Sequence, residues 1–184
     1  MEIKISSKVV LNLVKIIAWI IFISLCIEAG GIIFNSIFAL FINPIAAQRF
    51  WMGANLSSVY NYDKGFFTVV VSLMSIVAVL KAVMFYLIIA LFHHRSFNFS
   101  QPFNTILEKF IYNLSYLSFG IGLFSIWGDR YCEWLSLKGI YVPQLNSLRM
   151  AGGDVWFFMC AILFVIAYIV KRGVEIQTEN DLTV

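Results

Sequence analysis

The chain has 184 residues, of which 61% are hydrophobic and 12% charged. Soluble domains carry about 25% charged residues, so this composition excludes an ordinary soluble globular fold and points to the lipid bilayer as the chain's solvent. The formal charge of +3, from 13 basic and 10 acidic residues, is too small and too dispersed to imply direct contact with nucleic acid.

The amino terminus places Glu2, Lys4, Lys8 and Lys15 ahead of a first apolar run over 16–42. A secretory signal has an apolar core of about 7–15 residues, so this longer run is expected to stay as a spanning helix over about 9–42. Asn43-Pro44 stops it, because proline disfavours a helical conformation at the residue before it. Glu28 sits in the middle of the run. With Ser24, Gly31 and Asn35 it falls within roughly 60° of one helix face at about 100° per residue. A carboxylate at bilayer depth costs about 2.5–3.5 kcal/mol on insertion scales, so this polar stripe is expected to face protein or water.

The second apolar run, 66–92, follows Asp63-Lys64-Gly65 and ends at His93-His94-Arg95. It contains Lys81, the only basic residue in a position comparable to that of Glu28. Counted from the same side, Glu28 lies about 18 Å and Lys81 about 17 Å into their helices at 1.5 Å per residue. Apart, the two charges would cost very roughly 5–7 kcal/mol, so a Glu28–Lys81 charge pair is expected. The sharper alternative has both facing a cavity that binds a ligand. Thr68, Ser72, Ser75 and Tyr86 form a second polar face of the same helix. Adjacent histidines point in different directions, so His93 and His94 read as a polar helix end rather than a metal site.

The third run, 107–127, follows Gln101-Pro102 and is expected to end at Gly128-Asp129-Arg130. Its stripe of Glu108, Ser115, Ser118, Gly122 and Ser125 reads as a helix-packing face, since small residues let backbones approach in lipid. The fourth helix is expected over about 150–170, ending at Lys171-Arg172-Gly173 before a tail over 171–184. Cys26 and Cys160 lie in apolar runs and Cys132 is placed in a loop, so no disulfide is expected.

Near the helix ends, seven basic residues (Lys4, Lys8, Lys15, Arg95, Lys109, Lys171, Arg172) lie on one side and five (Arg49, Lys64, Arg130, Lys138, Arg149) on the other. The positive-inside rule then puts both termini in the cytoplasm. The loops 43–65 and 128–154 become long extracytoplasmic connections rich in Trp51, Tyr60, Tyr62, Tyr131, Trp134 and Tyr141. These aromatics read as a headgroup-level belt or as a ligand surface, and residues 58–62 and 139–142 as short paired strands.

The expectation is an all-α membrane protein: an antiparallel four-helix transmembrane bundle with two longer extracytoplasmic loops, one integral membrane domain over 1–184. No nucleotide loop, catalytic triad, carboxylate pair or metal-ligand spacing is present in the sequence, so no catalytic residue, metal or cofactor is assigned. Besides the lipid bilayer, the expected partner is a protein. The role expected is non-enzymatic: sensory, regulatory or accessory. The rival is a small oligomeric transporter or channel subunit that uses Glu28 as an ion or substrate site.

The ending Gly173-Val174-Glu175-Ile176-Gln177-Thr178-Glu179-Asn180-Asp181-Leu182-Thr183-Val184 resembles the tail of a bacterial family of four-helix membrane proteins without an assigned activity, the YoaS-like family. The segment Phe97 to Asn104 is similar to that family's connection between helices two and three, although Asn104 stands where the family has serine. The resemblance implies four spans in the bacterial inner membrane and a helix-turn-helix regulator as partner. Read from the residues, Glu175, Glu179, Asp181 and Leu182 are candidate partner-docking residues in a short helix or docking peptide of the cytoplasmic tail, with a frayed acidic tail as the alternative.

Overall fold

The computed structural model describes residues 7–94 and 103–181, all-helical apart from turns and connections. Helix α1 is Ser7–Phe41, α2 Ser57–Tyr62, α3 Lys64–His93, α4 Thr105–Leu137 and α5 Gly153–Asp181. Four of these, α1, α3, α4 and α5, are long and apolar enough to cross a membrane. At 1.5 Å per residue α1, α3 and α4 are about 45–52 Å long, well beyond the ~30 Å hydrocarbon core.

Local chemistry sets the boundaries. No proline interrupts α1 before Asn43-Pro44, where the Asn43 side chain accepts from the Ile45 amide (3.0 Å) and caps a 3-10 turn, Pro44–Ala47. Asp63 caps α3 by accepting from the Phe66 amide at 3.0 Å, and Asn104 caps α4 from the Leu107 amide at 2.8 Å. Asn55 accepts both the amide (3.0 Å) and the hydroxyl (2.6 Å) of Ser57, which starts α2.

Several boundaries differ from the sequence reading. Helix α4 continues ten residues past Trp127, because Asp129, Arg130 and Glu133 lie on an exposed face while Gly128, Cys132 and Leu135 are buried. Cys132 is therefore a buried helical residue, not a loop thiol, and all three cysteines are free. Residues 58–62 belong to α2 rather than to a strand: the adjacent Val59 and Tyr60 are both buried, which is not the two-residue period of a strand. Residues 139–142 are likewise not a strand. Helix α5 begins at Gly153, later than expected, and carries the segment assigned to a tail as helix as far as Asp181.

The long helices pack as consecutive neighbours: α1 on α3, α3 on α4 and α4 on α5. Among the described residues α1 approaches neither α4 nor α5. Two 3-10 turns, Pro44–Ala47 and Trp51–Gly53, meet α1 as well. Phe22 packs on Tyr86, Leu80 approaches Gly120, and Phe66 meets Trp134. Ser115 and Cys160 meet across the last pair, as do Tyr112 and Phe164. Serines 115, 118 and 125 are buried on α4, and Gly122 lies against Gly153 and Phe157 of α5.

The larger core joins three long helices to the two long connections. Ile32 of α1, Phe67 and Met74 of α3, and Ile121 and Leu135 of α4 share it with Phe50, Leu56, Val59 and Tyr60 of the first connection and Ile140, Leu148 and Met150 of the second. A smaller cluster of Ile111, Ala167 and Val170 closes α4 on α5 toward the other end.

Candidate functional site

The connection from α4 to α5 decides what Glu28 and Lys81 meet. After Leu137 the chain reverses at Gly139, whose φ of 79° is the left-handed conformation a helix C-terminus favours. Its amide bonds the Ser136 carbonyl (2.9 Å), and the Ile140 amide reaches back to Leu135 (3.2 Å). Buried Ile140, Leu148 and Met150 then carry the chain back along α4. Met150 reaches Gly128, where its sulfur fills the space a side chain would need. Helix α5 starts beside Gly122, so the loop retraces α4 from Leu137 to Gly122, about 22 Å at 1.5 Å per residue.

That descent brings Arg149 into the spans. Its φ of 60° is left-handed, a conformation that costs a side-chain-bearing residue about 1–2 kcal/mol. In this pose its carbonyl accepts a hydrogen bond from Lys81 Nζ at 2.9 Å, and its guanidinium Nε stands 3.9 Å from Glu28 Oε2. The Glu28 side chain is only 18% exposed and that of Arg149 44%. Arg149 Nη2 also donates to Met52 Sδ at 2.9 Å. Among the described residues Met52 (φ 53°) is the other non-glycine residue with a positive φ, so the two long connections touch through these two residues.

Trp51 completes the roof. Its ring rests on Gly31 of α1 so closely that a Cβ there would overlap it. The indole Nε1 is buried and without a hydrogen-bond partner. Asn35 donates to the Gly31 carbonyl at 2.7 Å, bonding its own helix, and Ser24 is exposed away from the cluster. The expected polar stripe thus divides: Glu28 enters the cluster, Gly31 seats Trp51, Asn35 is satisfied locally and Ser24 faces outward.

Glu28 and Lys81 lie close enough to attract one another electrostatically, but no ion pair within 4.0 Å joins them. The direct pairing expected from the sequence is replaced by a three-residue arrangement with Arg149 between them. The cause is geometric: the loop inserts a main-chain carbonyl and a guanidinium where the two side chains would have met. The formal charges are one negative and two positive.

At the far end of α5, Glu175 pairs with Arg172 at 2.8 Å and with Lys171 at 3.9 Å, while Glu179 is exposed. Asp181 is the last described helical residue, and Leu182 lies outside the described residues, as do residues 97–102 of the connection before α4. His93 Nδ1 lies 2.9 Å from the Ile89 carbonyl and its ring packs edge-on against Trp19.

Chemically, the Glu28–Arg149–Lys81 arrangement is a cross-link: it ties the α4–α5 connection to α1 and α3. Among the described residues no group of three or more His, Cys, Asp or Glu is gathered to hold a metal ion. Sequence reasoning did not bring Arg149 to Glu28 and Lys81, placed Trp51 only in an aromatic belt or ligand surface, and missed Met52. Comparison of the chain with protein-family models, curated proteins and solved structures found no match.

Proposed function

We propose that this chain is an integral membrane protein whose four spans run antiparallel with both termini in the cytoplasm, acting without catalysis as a sensory, regulatory or accessory protein through a protein partner. The contacts support the antiparallel reading. Along each neighbouring pair, rising residue numbers on one helix meet falling numbers on the other: Phe22 with Tyr86 and Glu28 near Lys81, Phe66 with Trp134 and Leu80 with Gly120, then Tyr112 with Phe164 and Ser115 with Cys160. The excess of basic residues at the ends bearing Lys15, Lys109 and Lys171 supports the orientation.

One observation carries the functional reading: Arg149 of an outer loop is bonded at once to α1 through Glu28 and to α3 through Lys81. A change in the outer loop then acts directly on two helices that cross to the other face. The resemblance to the YoaS-like family stays part of this proposal and rests on the tail residues. That segment is helix through Asp181, with Glu175 held by Lys171 and Arg172 and Ile176 exposed, which suits a helical docking face.

The rival role, a small transporter or channel subunit that uses Glu28, requires a carboxylate free to take an ion. The Arg149 guanidinium beside Glu28 counts against it. Grooves of about 310 and 440 Å³ between α1 and α3 are lined by residues such as Cys26, Ala29, Val79 and Ala82, and by Ser36, Val71 and Ser75, without Glu28.

Affinity purification of the full chain from native membranes, with and without residues 175–184, tests the reading. The full chain is expected to retain a specific partner that the shortened chain loses. Equal recovery of the same proteins by both would overturn the docking role.

A further inference from the structure

Where α5 begins, helix α4, the returning loop and the first turn of α5 surround a cavity of about 270 Å³. Two carboxylates line it, Asp129 of α4 and Asp154 in the first turn of α5. Neither has an ion-pair or side-chain hydrogen-bond partner among the described residues. Ser125, one turn before Asp129 on the same helix face, lines the same cavity; the residue is 1% exposed and its Oγ is buried without a partner. A buried hydroxyl is ordinarily hydrogen-bonded, so an unpaired one beside a cavity asks for a ligand donor.

The electrostatics select the sign of that ligand. Arg130 also lines the cavity, but its guanidinium turns to Glu133 at 3.2 Å with the side chain 75% exposed. The two carboxylates set about −2 against the roughly +0.5 of the α5 N-terminal dipole, so the cavity favours a cation. A bare divalent ion fits poorly, since calcium takes about 6–8 oxygen ligands and no three-carboxylate group is gathered among the described residues. The volume approaches the ~300 Å³ of the smaller organic-ligand sites. A primary ammonium has three N–H donors and no acceptor, which matches two carboxylates and one hydroxyl. Ile126, Leu145 and Met150 supply apolar wall for a short carbon chain.

We propose that this cavity binds a primary ammonium group on a short aliphatic carrier, with Asp129 and Asp154 as counter-charges and Ser125 Oγ as the third acceptor. The site stands on its own geometry, whatever partner the protein serves. The carrier is a free amine or the ethanolamine headgroup of a lipid, and two arms of one experiment separate these sources. The full chain is placed in phosphatidylcholine nanodiscs and titrated calorimetrically with n-butylammonium. In parallel, nanodiscs of mixed phosphatidylcholine and phosphatidylethanolamine are examined by native mass spectrometry for the lipid retained.

Saturable n-butylammonium binding identifies a free amine, and selective retention of phosphatidylethanolamine identifies the headgroup; either supports the site. Tetramethylammonium, which has no N–H donor, is expected to bind at least about tenfold more weakly. Asp129→Asn, Asp154→Asn and Ser125→Ala are each expected to weaken binding about tenfold or more. Should an aspartate variant fail to fold, Ser125→Ala and the tetramethylammonium comparison carry the test. Absence of binding in both arms overturns the proposal. So does tetramethylammonium binding equal to that of n-butylammonium, or parental affinity in a variant that melts like the parent.

Discussion

Lys81, in the middle of α3, donates its ammonium hydrogen bond to the main-chain carbonyl of Arg149 at 2.9 Å. The acceptor belongs to the backbone, so the bond survives replacement of the Arg149 side chain provided the loop keeps its path. The Lys81–loop hydrogen bond and the Arg149–Glu28 ion pair are thus separable by mutation. Lys81→Met removes a hydrogen bond made by a charged group and is expected to cost about 1.5–3 kcal/mol, read as a lowered melting temperature in detergent. An unchanged midpoint would show that the loop is held by other contacts.

Arg149 gives a conformational test. At a left-handed residue glycine is favoured over alanine by about 1–2 kcal/mol, the reverse of their order in a helix. Both substitutions delete the guanidinium equally. Arg149→Gly is therefore expected to melt above Arg149→Ala, and the opposite order would contradict the left-handed pose.

Two adjacent glycines of α1 are expected to respond with opposite signs. Gly30 has open space around its missing side chain, so Gly30→Ala should stabilise the helix by about 0.5–1 kcal/mol. Gly31 carries the Trp51 ring, so Gly31→Ala must displace it at a cost of about 1–3 kcal/mol. Differential scanning fluorimetry of the two variants checks the signs, and Trp51 emission should shift toward that of exposed tryptophan in Gly31→Ala alone.

Gly128 and Gly153 distinguish soft from hard neighbours. A methyl at Gly128 meets the flexible end of Met150, whereas one at Gly153 meets Ile126 and the backbone of α4. Gly153→Ala is expected to lower the melting temperature more than Gly128→Ala, because a backbone cannot move aside as a thioether does. Equal shifts would mean that the α4–α5 approach is looser than its geometry.

Much of this was legible in the sequence. The four long apolar runs gave the four candidate spans, and the lone mid-run charges, Glu28 and Lys81, marked where the spans meet something polar. Arg149 was not legible, because among the five cations expected in or beside the two long connections it differs only in lying on a chain that turns back along α4. A faint signal was available: the fourth apolar run was too short to reach full length without residues before Asp154, so the space at its N-terminal end had to be filled by something else. The extension of α4 was hidden by Asp129, Arg130 and Glu133, whose polarity mimics a loop although they occupy one exposed helix face. Helix α2 was hidden by strand-favouring residues, Val59 and Tyr60 among them, that packing and the Asn55–Ser57 turn hold in a helical conformation instead.

The account depends on Arg149, rather than Lys81 alone, as the partner of Glu28, and a double-mutant cycle in melting free energy tests this most directly. Glu28→Gln leaves two cations without their anion and should be the most damaging single change of the three charges. The pair Glu28→Gln with Arg149→Gln should recover at least about 0.5 kcal/mol relative to the sum of the single changes. Additivity of that pair to within about 0.3 kcal/mol, with recovery only when Glu28→Gln is combined with Lys81→Met, would contradict it.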